Sequence, residues 1–192
     1  MKKGLLTIFA LLTGMLLVLS SIVWAQAAPV AKTGQTTSYA TGDDGDLQKG
    51  VASPDPRFTD NGDGTVTDNL TGLMWAKDAY ATGGVGYAEA IDYANNLSLG
   101  SAGCGEYHTD WRLPNAKEIL SLLDLGNSAP ALPSGHPFTN SLGSYLWYWT
   151  STTCEFYTQN AFVVYMGYGF MNYTGKEGDE AYNSVWPVRS VN

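Results

Sequence analysis

The chain has 192 residues, with 10 Lys and Arg against 18 Asp and Glu, a formal charge of −8. That balance argues against nucleic acid, heparin-like polyanions and anionic lipid as partners, because like charges repel at long range. Beyond its N-terminal segment the length suits one domain, and no later apolar run is long enough to span a membrane.

Residues 1–27 read as a secretory signal. Lys2 and Lys3 supply the positive start, Leu5 to Val23 the apolar stretch, and Ala25-Gln26-Ala27 a small-x-small exit. Cleavage before Ala28 is the expectation, and an uncleaved anchor is the alternative. Losing Lys2 and Lys3 leaves eight basic residues against 18 acidic, a net −10. The product is then periplasmic, displayed on the cell surface or released. Residues 28–56 are rich in Ala, Thr, Gly, Asp and Pro without apolar periodicity, so they read as a disordered linker.

The domain is expected over 57–192. Phe58–Asp60 and Thr65–Asp68 flank Asn61-Gly62-Asp63-Gly64, the pattern of a hairpin whose turn needs positive φ angles. Leu73-Met74-Trp75 follows as a third strand. A helix is expected over Tyr87–Leu97, with Ala88, Ile91, Ala94 and Leu97 on one face. Trp111-Arg112-Leu113 reads as a short strand ended by Pro114. Asn115 then caps a second helix, with Glu118 completing a capping box and Ile119, Leu120, Leu122 and Leu123 inward. A long loop over 127–144 carries Pro130, Pro133 and Pro137. Strands are expected over 145–151, 160–166 and 181–191, with another at 170–173. The order predicts an α+β fold, two helices beside a mainly antiparallel sheet with long loops, whose first and last strands can pair.

Two cysteines, Cys104 and Cys154, suggest one disulfide in an oxidising compartment, with two buried thiols as the alternative. On the chain-entropy argument such a bridge would stabilise the fold by roughly 3–4 kcal/mol.

Four stretches together resemble one family. They are Arg57-Phe58-Thr59-Asp60-Asn61-Gly62-Asp63-Gly64-Thr65-Val66-Thr67-Asp68-Asn69 with Thr71-Gly72-Leu73-Met74-Trp75; Asp110-Trp111-Arg112-Leu113-Pro114-Asn115 with Lys117-Glu118; Tyr148-Trp149-Thr150-Ser151-Thr152; and Val188-Arg189. The set resembles the C-terminal domain family of the Legionella collagen-like protein. The resemblance implies a fold related to C-type lectin-like domains and a role in adhesion, the named member being an adhesin that binds host glycans. Family members often carry a cysteine where this chain has Ala94 and another near Pro187; Cys104 and Cys154 would replace that staple.

Several residues invite a functional reading. Asp60, Asp63 and Asp68 offer oxygen ligands to calcium on a Gly-rich turn. EF-hand spacing fails, however, because Asp60, Gly62 and Gly64 fall where three ligands are needed, so the run reads first as a structural turn. The familiar calcium-lectin motifs are absent too. Trp75, Trp111, Trp149 and Trp186 read as core, and Arg112 as a clamp on Glu118 or Asp110. The later half holds more tyrosines than a small domain can bury. Tyr157, Tyr168 and Tyr173, with Asn160, Asn172 and Glu155, are the candidate ligand-binding set, because exposed tyrosine binds at low entropic cost. Aromatic packing within a small sheet is the competing account.

No enzyme is expected. His108 and His136 lie outside any metal-binding spacing, and no nucleophile elbow or phosphate loop occurs. No cofactor is expected beyond the calcium alternative. The primary reading is an exported binding module for carbohydrate or a surface protein. The alternatives are a structural subunit of a surface assembly and an oxidase resembling the formylglycine-generating enzymes, which share the broad fold and use a reactive cysteine pair.

Overall fold

The structure, a computed structural model, describes residues 30–101, 107–141, 147–177 and 183–191. Segment 30–56 departs from the disordered linker expected of its composition. Ala31 bridges Val51 in parallel, and Asp43 caps a single helical turn, α1 (Asp44–Leu47). The Leu125 N–H donates to the Thr33 carbonyl at 2.7 Å, which ties the segment to the domain. Backbone hydrogen bonds, for which composition gives no signal, supply what the missing apolar pattern does not.

The hairpin forms as its turn chemistry requires. Gly62 and Gly64 sit at φ 76° and 88°, and β1 (Phe58–Asp60) pairs antiparallel with β2 (Thr65–Asp68). β3 (Leu73–Ala76) pairs with β2, placing Val66 opposite Trp75. The last strand does not return to the first. Instead β7 (Val188–Ser190) pairs with β3, setting Val188 against Trp75, and the sheet runs β1-β2-β3-β7. Pairing there buries both side chains fully, which the three-residue β1 with two exposed positions does not offer.

Between β3 and β7 the chain builds α2 (Tyr87–Asn96), α3 (Ala116–Leu120) and a second sheet of β4 (Trp147–Thr153), β5 (Asn160–Tyr165) and β6 (Phe170–Gly175). The architecture is therefore mainly β, two antiparallel sheets with few helices, where one sheet was expected. On α2 the inward face is Tyr87, Ala90, Ile91 and Ala94, while Ala88 is exposed: steps of three drift off the 3.6-residue period. α3 is short because the chain tightens after Ser121, with Leu122 and Leu123 donating to carbonyls three residues back. The proline-rich loop is tied down through Ala129 and Ala131, whose N–H groups donate to Gly167 and Met166 at 2.7 Å.

Two cores result. One lies between the sheets and gathers Phe58, Val66, Trp75, Phe138, Tyr148 and Trp186. The other fills the space between α2 and the opposite face of the β4-β5-β6 sheet, with Trp149, Ala161 and Val163 against Ala90 and Ala94. Trp149 and Trp111 are buried, and both satisfy the indole N–H, on the Val85 carbonyl at 2.8 Å and the His108 carbonyl at 3.1 Å. Arg112 clamps Glu118 through two 2.7 Å bonds, and Glu118 also accepts the Asn115 N–H. Of the expected bridge, Cys104 lies outside the described residues; among the described residues Cys154 is a free, buried thiol packed as a small apolar side chain. Among the described residues no helix is long and apolar enough to cross a membrane.

Two outcomes follow for stability. Trp186→Ala removes the ring shared by both sheets and should cost about 3–5 kcal/mol in urea denaturation. For Glu118, burial pushes the carboxyl up, but hydrogen bonds from Arg112 and the Asn115 N–H outweigh it and hold it below 4.5. A carboxyl depressed in the folded state stabilises above its unfolded value, and the gain fades as pH falls through the folded one. Wild-type stability should thus decline as pH drops below about 4.5, and Glu118→Gln should flatten that acid limb.

Candidate functional site

The β4–β5 connection is a tight turn built on its own backbone. Cys154 N–H donates to the Asn160 carbonyl at 3.0 Å, and Asn160 N–H returns to the Tyr157 carbonyl at 2.8 Å. Lys176 braces it, its Nζ donating to Thr153 Oγ1 at 2.8 Å and to the Thr158 carbonyl at 3.0 Å. A turn this short leaves no room to fold consecutive side chains inward. Phe156 and Tyr157 therefore project outward, 83% and 40% exposed, in edge-to-face contact at 4.6 Å. Tyr173 of β6, 43% exposed, meets Tyr157 at 5.7 Å. The three rings form a continuous exposed row, with Asn160 half-buried at the start of β5 and Glu155 exposed on the same turn.

Strand alternation sends a second aromatic group to the other face. Phe170 stands opposite Tyr165, and Tyr173 opposite Phe162, so an odd step separates their faces. Trp147, Tyr165 and Phe170 stack across the three strands at 5.1–5.2 Å. Tyr168, 67% exposed, leans on Tyr165 at 5.6 Å in the β5–β6 turn.

The candidate set thus divides. Tyr157 and Tyr173 come together, and Glu155 and Asn160 share the turn with Tyr157, whereas Tyr168 sits at the far end of the sheet. Asn172 faces away from Tyr173, and its Oδ1 accepts the Tyr173 N–H at 2.9 Å. Sequence reasoning passed over Phe156, the most exposed ring of the row. The signal was there: Phe156 and Tyr157 are adjacent in a turn, so they share an outward direction.

The three aspartates do not converge. Asp60 accepts Lys77 Nζ at 2.7 Å and the Gly62 N–H, which hold its carboxyl below the usual range. Burial pushes Asp63 up, but the Thr65 hydroxyl and the N–H groups of Ser101 and Thr65 more than offset it. Asp68 is fully buried and takes the Arg57 fork at 2.7 and 2.9 Å, plus the Leu70 N–H and the Thr71 hydroxyl. Each carboxylate serves a turn or clamp of its own.

A groove of about 420 Å³ lies between Val30–Thr33 and the α3 region, walled by Leu120, Leu123 and Leu125. Its walls are mostly aliphatic, with two lysines, Lys32 and Lys117, and no aromatic ring.

The model of the Lcl C-terminal domain family matches residues 64–189. The chain belongs to that family. No curated protein and no solved structure matches it. The match runs from the β1–β2 turn into β7, so the aromatic row lies within the Lcl C-terminal domain and segment 30–56 lies outside it.

With its aspartates occupied by protein donors, this Lcl C-terminal domain should melt at the same temperature with millimolar calcium or with a chelator. A rise in Tm on adding calcium would show that the turn opens to bind it.

Proposed function

We propose that this domain is an exported binding module that recognises carbohydrate on the row Phe156–Tyr157–Tyr173. One observation carries the reading: three contacting aromatic rings stay open to solvent in a domain that buries its Trp75, Trp111, Trp149 and Trp186 almost completely. Sugar rings present flat C–H faces beside hydroxyls. An aromatic row with an amide and a carboxylate at its margin suits both. Here Asn160 and Glu155 supply those polar groups. Tyrosine loses little conformational freedom on binding, and the turn that holds Tyr157 is braced by Lys176. Family membership and the signal-like start at Lys2 and Lys3 support an adhesive role outside the cytoplasm, on a C-type lectin-like scaffold.

A surface assembly is the second reading, favoured by the outer edge of β6, which pairs with no strand among the described residues. The oxidase reading finds little support, since Cys154 is buried.

A glycan array probed with the exported protein, with and without calcium, tests the primary reading. Selective binding should appear in both conditions. Tyr157→Ala and Tyr173→Ala should each weaken it about tenfold or more, as loss of a central aromatic anchor does. Tyr107→Ala, an exposed tyrosine elsewhere, should leave it unchanged. A blank array would turn the reading toward a protein partner or assembly.

A further inference from the structure

Four sheet edges exist among the described residues, and three are protected. The outer side of β4 is closed by Ser184, which accepts the Trp149 N–H at 3.0 Å and donates to the Trp147 carbonyl at 2.7 Å. β7 exchanges two 3.0 Å bonds with Arg112. β1 is three residues long and itself carries the ion-paired Asp60. Short length and charge are the usual devices that keep an edge from pairing. β6 has neither. It runs six residues as Phe-Met-Asn-Tyr-Thr-Gly, and residues 160–175 contain no charged side chain.

The backbone of β6 alternates. Asn172, Thr174 and Lys176 turn toward β5, as the bond from Lys176 N–H to the Gln159 carbonyl at 2.9 Å fixes. Met171, Tyr173 and Gly175 therefore point their N–H and C=O groups outward. Among the described residues the Tyr173 N–H finds only the oxygen of the adjacent Asn172 side chain. This outward pattern is symmetric about Tyr173.

We infer that two copies of the chain pair antiparallel along β6, with Tyr173 on the two-fold axis. Tyr173 then meets its own mate, and Met171 meets Gly175, which closes about six backbone hydrogen bonds. The result is one six-stranded sheet across two chains. Charge selects the second copy as occupant. A chain of −8 repels itself over most of its surface, and residues 160–175 let two copies approach with no like charges face to face. In this register Lys176 lies opposite Phe170, so the two Lys176 residues stand about 20 Å apart, beyond the screening length of about 8 Å. A strongly charged partner would find nothing on β6 to complement it.

Pairing at an edge leaves the sheet faces open. It brings the two Tyr173 rings side by side, so the rows of both copies join into one aromatic surface running from Phe156 to its mate. That consequence rests on the carbohydrate reading; the pairing itself does not and is measured without ligand.

Sedimentation of the exported protein should show a concentration-dependent dimer. Tyr173→Lys sets two cations against each other on the axis and should weaken association about thirtyfold or more, with an unchanged circular dichroism spectrum. A second arm needs no charge. Tyr173→Cys should cross-link under mild oxidation, because mates in a hydrogen-bonded antiparallel pair lie about 5.5 Å apart, within disulfide reach. Phe170→Cys, with mates about 20 Å apart, should not. Wild-type protein run alongside reports any link through the native cysteines. A monomer at every concentration, an undiminished dimer in Tyr173→Lys, or cross-linking at 170 rather than 173 would each overturn the inference.

Discussion

Trp186 holds the molecule together. Its ring packs against Trp75 of the first sheet at 5.8 Å, Tyr148 of the second at 5.3 Å and Phe138 of the long loop at 4.8 Å. Its indole N–H donates to the Ala76 carbonyl at 2.8 Å, so this large buried side chain is also satisfied. The ring thus touches both sheets and the loop at one point. The Arg57–Asp68 fork and the Arg112–Glu118 clamp then fix the ends of the strands and helices around this centre.

The exposed aromatic row depends on that centre. Trp186 and Tyr148 fill the inner face of β4, and α2 with Trp149 fills the other. With both faces of β4 and most of β5 occupied, the sheet is rigid where it meets the core. β6 lies one strand farther out, and there the core ends. Its first four residues are exposed, as is the β4–β5 turn beside it. Aromatic residues at those positions are presented to solvent on a fixed frame, which lowers the ordering cost that a binding loop would otherwise carry.

The sequence made the local structure legible wherever a single residue type dictates geometry. Gly62 and Gly64 announced the first hairpin, and Asn115 with Glu118 announced the start of α3. The resemblance in four stretches pointed to the family that the match over 64–189 shows. Long-range choices were not legible. Whether β7 returns to β1 or β3 depends on which pairing buries Trp75 and Val188, and periodicity carries no such information. The split into two sheets follows from Trp186 lying between them, although as a sequence position it resembles any other strand tryptophan. The site was readable by half: tyrosine richness marked the later strands, but only the pairing register separates Tyr157 and Tyr173 from Tyr168.

The most direct test of the central claim is a residue-resolved map of where a bound glycan sits. Amide and aromatic NMR shifts of the protein, followed as a selected oligosaccharide is added, should move at Phe156, Tyr157, Tyr173 and Asn160 and stay fixed around Leu120 and Leu123. Shifts concentrated in the groove beside Val30–Thr33, with the aromatic row unmoved, would contradict the account.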